Sequence, residues 1–370
     1  MFDKKTNSWN VYTIMHGNRE VASIRKNGTC QIYAENFMPY NLYFETDAEG
    51  DIEIRLQNLE NFYYWCASRV LSLNREYAKE ILNSIGATQA TTDRDRAQIA
   101  LSYHCLSLMD IYWTRAEGEQ ISFEEINLYE NHLEKAFIDV SLRGKQLTIQ
   151  NSHLIADDLA THGCFPKAWV RKENAFWLMK DGGIQAVENE LLASKICRCF
   201  NVNQVFYEED YYDGQKVSVS RIVTSPEVSI VPMESFEIYA QNHGIDRMEY
   251  ILKLDQYSYY MMNILDYLIG NTDRHWGNWG LLVDNRTNMP IRLYDLMDFN
   301  RAFQSYETID GARCLTCKKL MVQKEAAIEA VKEVGLNQIS RVSAEWFADA
   351  NQRKMFFKRL NLLNKNLKNS

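Results

Sequence analysis

Proline and glycine are scarce in this chain, 5 and 16 of 370 residues, which excludes collagenous, linker-rich and largely disordered classes. Positive charge is not in excess either. The formal net charge is −8, so no global electrostatic case exists for nucleic acid or an anionic membrane as a direct partner. The first residues, Met1-Phe2-Asp3-Lys4-Lys5-Thr6-Asn7-Ser8, lack the apolar core of a signal peptide. The most apolar helical stretch, Tyr259 to Gly270, is interrupted by Asn263 and Asp266 and is too short to span a bilayer. A cytoplasmic protein is the expectation, with its eight cysteines as reduced, mostly buried thiols. A four-thiolate zinc site would need Cys197 and Cys199 to converge with the Cys314-Leu315-Thr316-Cys317 pair. Cys197 and Cys199 fall in a helical pattern, where positions i and i+2 point apart, so core thiols are expected instead.

What is abundant is apolar side chain, 46% of residues beside 24% charged, enough to fill large cores. By length the chain suggests two to three domain-sized units. Residues 1–57 alternate short apolar runs with turn signals, as in Val21-Ala22-Ser23-Ile24 and Ile52-Glu53-Ile54, and read as a small β-rich unit. Residues 58–148 turn helical: Tyr63, Ala67, Val70 and Leu71 share a stripe, and Ser122 suits the N-cap of a helix from Phe123. The aromatics Tyr63, Tyr64, Trp65, Tyr112 and Trp113 read as core. Residues 149–225 read as a strand-rich part and 226–370 as a helical one. Further amphipathic helices are expected over Lys318–Gly335, after Ser343, and over Met355–Leu363.

The chemical signals begin after residue 150. Thr161-His162-Gly163-Cys164-Phe165-Pro166-Lys167 is a glycine turn with a following lysine, the kind of loop whose backbone N–H groups approach an anion closely. A strand, a charged turn over 171–174 and a second strand ending at Lys180 follow. A helix then carries Glu188 and Glu190 near its start. Strand lysine and then acidic helix is the order of the Lys–Glu ion pair of protein kinases. Glu188 and Glu190 stand roughly 200° apart around a helix, so only one of them can face the lysine.

The sharpest segment is Gly270-Asn271-Thr272-Asp273-Arg274-His275-Trp276-Gly277-Asn278. It lies behind an apolar helix from about Tyr250, which Gly270 can end. After it, two short strands deliver Tyr294-Asp295-Leu296-Met297-Asp298-Phe299. Asp273 and Asn278 are five apart, the Asp-to-Asn spacing of a kinase catalytic loop. Such a loop needs a carboxylate for the nucleophile hydroxyl, and oxygen ligands for a cation.

These motifs resemble the signature of the HipA-like serine/threonine kinases. The likeness runs over residues 150–310 and is most specific in Gly270–Asn278 and Tyr294-Asp295-Leu296. It implies an α+β, bilobal protein-kinase-like fold: a small β-rich nucleotide lobe, a helical C-terminal lobe with the catalytic loop, and an added N-terminal β-plus-helix region. It implies ATP and Mg²⁺ as cofactors, with Asp273 as catalytic base and Asn278 and Asp295 as metal ligands. Asp298, which opens a DFG-like triplet, is the alternative to Asp295. Lys180 would contact the nucleotide phosphates with Glu190 as its partner, and His162, Gly163 and Lys167 would belong to the phosphate loop. Ser220 and Ile222 would supply the adenine hinge, Tyr294 would lie beside the cofactor, and His275 would order the loop. The phosphoacceptor would be a protein or the chain itself, with Thr161 the hydroxyl nearest the glycine loop. An antitoxin-like partner is implied by the same family. Two alternatives stand beside this reading: a lipid or small-molecule kinase, because Asp273–Asn278 also resembles the loop of phosphoinositide kinases, and a non-catalytic binding module of kinase-like fold.

Overall fold

The computed structural model describes residues 10–47, 50–70, 92–131, 167–172, 175–212, 214–304 and 306–367. Two compact units emerge, one comprising Met1–Trp169, Thr224–Ser229 and Asn285–Asn288, the other Val170–Val223, Ile230–Asp284 and Met289–Ser370. The calls at Thr161, His162 and Gly163 lie outside the described residues.

In the first unit, strands β1 (Val11–His16), β2 (Arg19–Arg25) and β3 (Cys30–Ile32) form an antiparallel meander. Two helices follow, α1 (Ile52–Ala67) and α2 (Asp93–Ser102), and then β4 (Tyr112–Ala116) and the short α3 (Phe123–Ile126). The sheet order is β3-β2-β1-β4. Two expectations are corrected here. Ile52-Glu53-Ile54, which read as strand, opens α1, because the Asp51 side chain accepts hydrogen bonds from the Glu53 and Ile54 N–H groups and so caps the helix. Tyr112–Ala116 lies inside the stretch that read as helical, yet pairs with β1 throughout. Trp65, Trp113, Phe62, Ile14 and Ile24 are fully buried. At the edge of this core Arg69 meets Asp110 through two hydrogen bonds at 2.9 and 2.6 Å and donates to the Tyr112 carbonyl at 3.0 Å.

The second unit opens with β5 (Lys167–Lys172, whose first residues belong to the first unit), β6 (Ala175–Lys180) and α4 (Ile184–Cys197), followed by β7 (Tyr207–Tyr212) and β8 (Gln215–Arg221). These strands make a sheet of order β5-β6-β8-β7. Next come β9 (Val228–Pro232), α5 (Met233–Asn242) and the long α6 (Arg247–Ile269), then β10 (Gly280–Asp284) and β11 (Met289–Leu293). Strands β11, β10 and β9 form a three-stranded sheet. Helices α7 (Gln323–Val334) and α8 (Ala350–Leu367) pack with α6. Helix α7 starts later than its apolar pattern suggests, and Leu320 is left exposed ahead of it. No helix among the described residues is long and apolar enough to cross a membrane.

Helix α6 positions the loop that follows it. Asp255 interrupts it with non-helical φ/ψ. One carboxylate oxygen caps the second half by accepting from the Ser258 N–H at 3.1 Å, and the other accepts from the Leu293 N–H of β11 at 3.0 Å. The helix end is bound by Arg359 of α8, which donates to the Tyr267 carbonyl at 2.5 Å, and by the Tyr306 hydroxyl, which donates to the Leu268 carbonyl. Gly270 then turns the chain with φ +62°, and a Cβ there would collide with the Tyr306 ring.

Gly270→Ala should therefore cost more than the roughly 1–3 kcal/mol of a left-handed non-glycine residue. Gly244 has nearly the same φ, +64°, with nothing near its absent Cβ, so Gly244→Ala isolates the backbone part. In urea unfolding, Gly270→Ala should show the larger loss of stability; equal losses would mean that the Tyr306 contact is unimportant.

Candidate active site

Lys180 closes β6 and is 6% exposed. A buried ammonium must be paired, and the lysine is paired on two sides. Its Nζ donates to Glu190 Oε1 at 2.8 Å and to Asp298 Oδ1 at 3.1 Å, and also to the Tyr207 hydroxyl at 3.3 Å. Burial alone would push the ammonium's pKa down; the Asp298 and Glu190 carboxylates outweigh it and leave the lysine well above its usual value. Glu190, 1% exposed on α4, accepts at its other oxygen from the Ser218 hydroxyl of β8 at 2.5 Å. Glu188 points elsewhere, to Lys216 at 3.8 Å.

Asp298, rather than Asp295, completes this cluster. Its φ is +62°, in the left-handed region that residues other than glycine seldom adopt. The surroundings hold it there: its N–H donates to the Tyr207 hydroxyl at 3.1 Å, and its carbonyl accepts from the Asn271 side chain at 3.4 Å. Asp295 instead makes a charge contact with Arg292 at 2.7 Å, too poorly aligned for a hydrogen bond. The two carboxylates are three residues apart in an irregular segment, so spacing could not separate them.

The loop after α6 is built around Arg274, which is 3% exposed. Its guanidinium grips Asp266 of α6 with two hydrogen bonds at 2.9 and 3.0 Å. It also donates to the Asn278 carbonyl at 2.7 Å and to the Met297 carbonyl, next to Asp298, at 2.6 Å. One side chain thus joins the helix end, the loop and the segment after β11. Sequence reading missed this residue; its signal was an arginine in a polar loop eight positions after a helix aspartate. Asn271 adds a second tie, from its side chain to Asp266 at 3.1 Å.

Asp273 sits in this loop half-exposed. Its carboxyl is raised first by burial; Arg301 at 3.5 Å and then His275 oppose that rise, and Asp298 adds to it. The Asn278 amide nitrogen donates to the Asp273 carbonyl at 2.8 Å, which leaves its oxygen as the end able to take a cation. His275 is exposed, and its Nδ1 accepts from the Gly277 N–H at 3.0 Å, a bond that shapes the turn. Tyr294 is buried beneath the loop, its hydroxyl donating to the Gly277 carbonyl at 3.3 Å.

Three other sequence-predicted positions fall differently. Ser220 lies within the central strand β8, paired in register with Leu178 on one side and Tyr207 on the other. The Ile222 N–H is given to the Phe176 carbonyl at 2.9 Å. The Ser220 ladder position and the Ile222 N–H are thus already engaged within the sheet. Lys167 opens β5 and is partly exposed.

No family model matches the chain, and no curated protein matches it. Among solved structures, HipA of Shewanella oneidensis MR-1, in a toxin–antitoxin complex with HipB and operator DNA, aligns over 97% of this chain and 97% of its own at TM-score 0.54 and 10% identity. The proinflammatory kinase CtkA of Helicobacter pylori aligns over 54% of this chain and 90% of its own at TM-score 0.40 and 14% identity. The likeness to HipA is one of fold alone: the chain is a mixed α+β protein with antiparallel sheets and a fold resembling that of HipA.

Breaking the Arg274–Asp266 pair from one side leaves a buried charge uncompensated, at a cost of about 3–5 kcal/mol. Asp266→Leu should show that loss in urea unfolding, and adding Arg274→Met to it should recover part. A single variant as stable as the wild type would remove Arg274 from its structural role.

Proposed function

We propose that this chain is a Mg²⁺- and ATP-dependent phosphotransferase acting on a serine or threonine hydroxyl of a protein, itself included. The observation that carries the reading is the buried Lys180 shared between Glu190 on the helix and Asp298 on the loop after β11. A structural lysine at a strand end would snorkel to water; this one is held inside by two carboxylates from different elements. The second support is the Asp273–Asn278 loop fastened to the Asp298 segment through Arg274.

The residues fit the implied groups. Among the described residues no three His, Cys, Asp or Glu converge into an all-protein metal cage. Mg²⁺ held with phosphates does not require one, because it takes one or two protein oxygens and completes its shell with water and phosphate. Asn278 and Asp298 are the oxygen donors we assign, Asp298 replacing Asp295. ATP would supply the phosphoryl group and Mg²⁺ the charge that offsets its oxygens.

Lys180, oriented by Glu190 and held as an ammonium by its two carboxylates, would meet the phosphate charge. Asp273 takes or orients the proton of the acceptor hydroxyl. Its raised carboxyl suits this work, since a base nearer the working pH accepts a proton more readily. His275 and Tyr294 shape the backbone on which Asp273 and Asn278 stand. An antitoxin-like protein partner belongs to the same proposal. In that case the partner, and not this acidic chain, is the DNA-contacting component.

Incubation with terminally labelled ATP and Mg²⁺, read by intact-protein and peptide mass analysis, tests the reading; absence of phosphotransfer with retained nucleotide binding would favour the binding module. Asp273→Asn should lower kcat about 10²–10⁴-fold with nucleotide affinity nearly unchanged. Asp298→Asn should weaken Mg²⁺-dependent nucleotide binding as well. Asp295→Asn should do little, and the reverse ranking of the last two would return the ligand role to Asp295.

The pH profile supplies an independent check. A carboxyl raised by burial becomes a base only above the ordinary aspartate value of about 3.9, so the acidic limb of kcat/KM should lie above it. Arg301 stabilises the Asp273 carboxylate, and Arg301→Ala should therefore move that limb to higher pH. A shift to lower pH would overturn the assignment of Asp273.

A further inference from the structure

The Cys314-Leu315-Thr316-Cys317 segment is used by neither the fold nor the proposed chemistry, yet its geometry is that of a reactive pair. The two Sγ atoms share a hydrogen bond at 3.3 Å, and both thiols are free. The segment is pinned on both sides. The Cys314 N–H donates to the Met321 carbonyl at 2.9 Å, and the Gln323 N–H to the Ala312 carbonyl at 2.8 Å. The thiols therefore face one another on a closed turn, and bond formation requires them to approach by only about 1.2 Å to the S–S length of about 2.05 Å.

Cys314 is the better nucleophile of the two. Its pKa is held down to about 6, first by the Cys317 thiol and then, against burial, by the Thr316 hydroxyl and two backbone N–H groups, while that same bond pushes Cys317 up. Cys317 is partly exposed, and Cys314 and Thr316 line a small cavity with room for about one water together with Asp266, Asn271 and Arg274.

The contacts beneath the pair lead to the loop after α6. Asn263 of α6 accepts from Thr316 Oγ1 at 2.5 Å and, in the thiol form, from Cys314 Sγ at 3.5 Å. Asn263 stands one turn before Asp266, which holds Arg274 and Asn271. Gln323, closing the cysteine turn, donates to the Asn271 carbonyl at 2.6 Å. The cysteine turn and the loop Asn271–Asn278 thus share one hydrogen-bonded base.

We propose that Cys314 and Cys317 form a redox-sensitive dithiol that a hydroperoxide closes to a disulfide, and that closure loosens the Asn263 anchor beneath the Asn271–Asn278 loop. The Cys314 thiolate attacks one oxygen of the peroxide, the O–O bond breaks, and hydroxide leaves as water after taking a proton. The Cys314 sulfenic acid is then attacked by the Cys317 sulfur; its S–O bond breaks and a second water leaves with the Cys317 proton. Two thiols and one hydrogen peroxide thus give one disulfide and two waters. A thiol reductant reverses the change. Only the consequence for catalysis rests on the phosphotransferase reading; the disulfide and the loosening do not.

Treating the full chain with hydrogen peroxide, blocking residual thiols and mapping peptides should show a loss of about 2 Da in the peptide holding both cysteines, restored by dithiothreitol. In Cys317→Ser, Cys314 should stop at the sulfenic acid and be captured by dimedone. Hydrogen exchange across residues 263–280 should rise in oxidised wild type and not in peroxide-treated Cys317→Ser. Alkylation of both cysteines after peroxide, capture of the sulfenic acid on Cys317 in a Cys314→Ser variant but not on Cys314 in Cys317→Ser, or unchanged exchange in the disulfide form would each overturn the proposal. None of these readouts needs phosphotransfer, so a chain without that activity that still forms the disulfide would sink the functional reading and leave this one standing.

Discussion

The buried Arg274 guanidinium holds in place what the candidate site depends on. It faces the Asp266 carboxylate with two hydrogen bonds and gives two more to the backbone carbonyls of Asn278 and Met297. A desolvated ion pair contributes little net stability compared with apolar packing. What it contributes is geometry, because a planar fork with five fixed donors tolerates few alternative arrangements. The helix end, the Asp273 loop and the turn carrying Asp298 are related to one another through that fork. Asn271 repeats the connection on a smaller scale, with its side chain reaching both Asp266 and the Asp298 carbonyl.

The second charged centre has the opposite character. At Lys180 one ammonium lies between two carboxylates, Glu190 and Asp298, with the Tyr207 hydroxyl accepting from both the lysine and the Asp298 backbone. The surplus there is negative, and such a site favours added positive charge. Burial raises the value of each contact while making any unpaired member costly. This is why the left-handed φ of Asp298 can persist: Tyr207 and Asn271 hold its backbone while Lys180 holds its side chain. The first unit contains a comparable fastener in Arg69, Asp110 and the Tyr112 carbonyl. There it joins the residues after α1 to the start of β4 and serves the core of the sheet.

Much of the local architecture was legible because it depends on neighbours in sequence. The strands ending at Lys180, the helix ending at Gly270, and the hairpin after Gly280 follow from apolar periodicity and from a glycine that can take a left-handed φ. The two failures differ in origin. Ile52-Glu53-Ile54 alternates like a strand, and the Asp51 cap made it a helix. Tyr112–Ala116 sits among helical patterns, and pairing with β1 made it a strand. An adjacent cap in the first case and a strand distant in sequence in the second decided between two patterns of similar local preference.

The sequence by itself determined the chemical parts: a strand lysine, an acidic helix, an Asp-to-Asn spacing of five, and two aspartates after a hairpin. Side-chain type and spacing carry that much, because they limit which groups a loop can present. Which parts meet was decided by the tertiary structure. Glu190 faces Lys180 because α4 packs against β8 and turns Glu188 outward to Lys216. Asp298, and not Asp295, meets Lys180, with Arg292 engaging the earlier carboxylate and Arg274 fixing the carbonyl before the later one. A pairing between buried charges is set by desolvation and by donors arriving from distant elements, and neither is written in the spacing of residues along the chain.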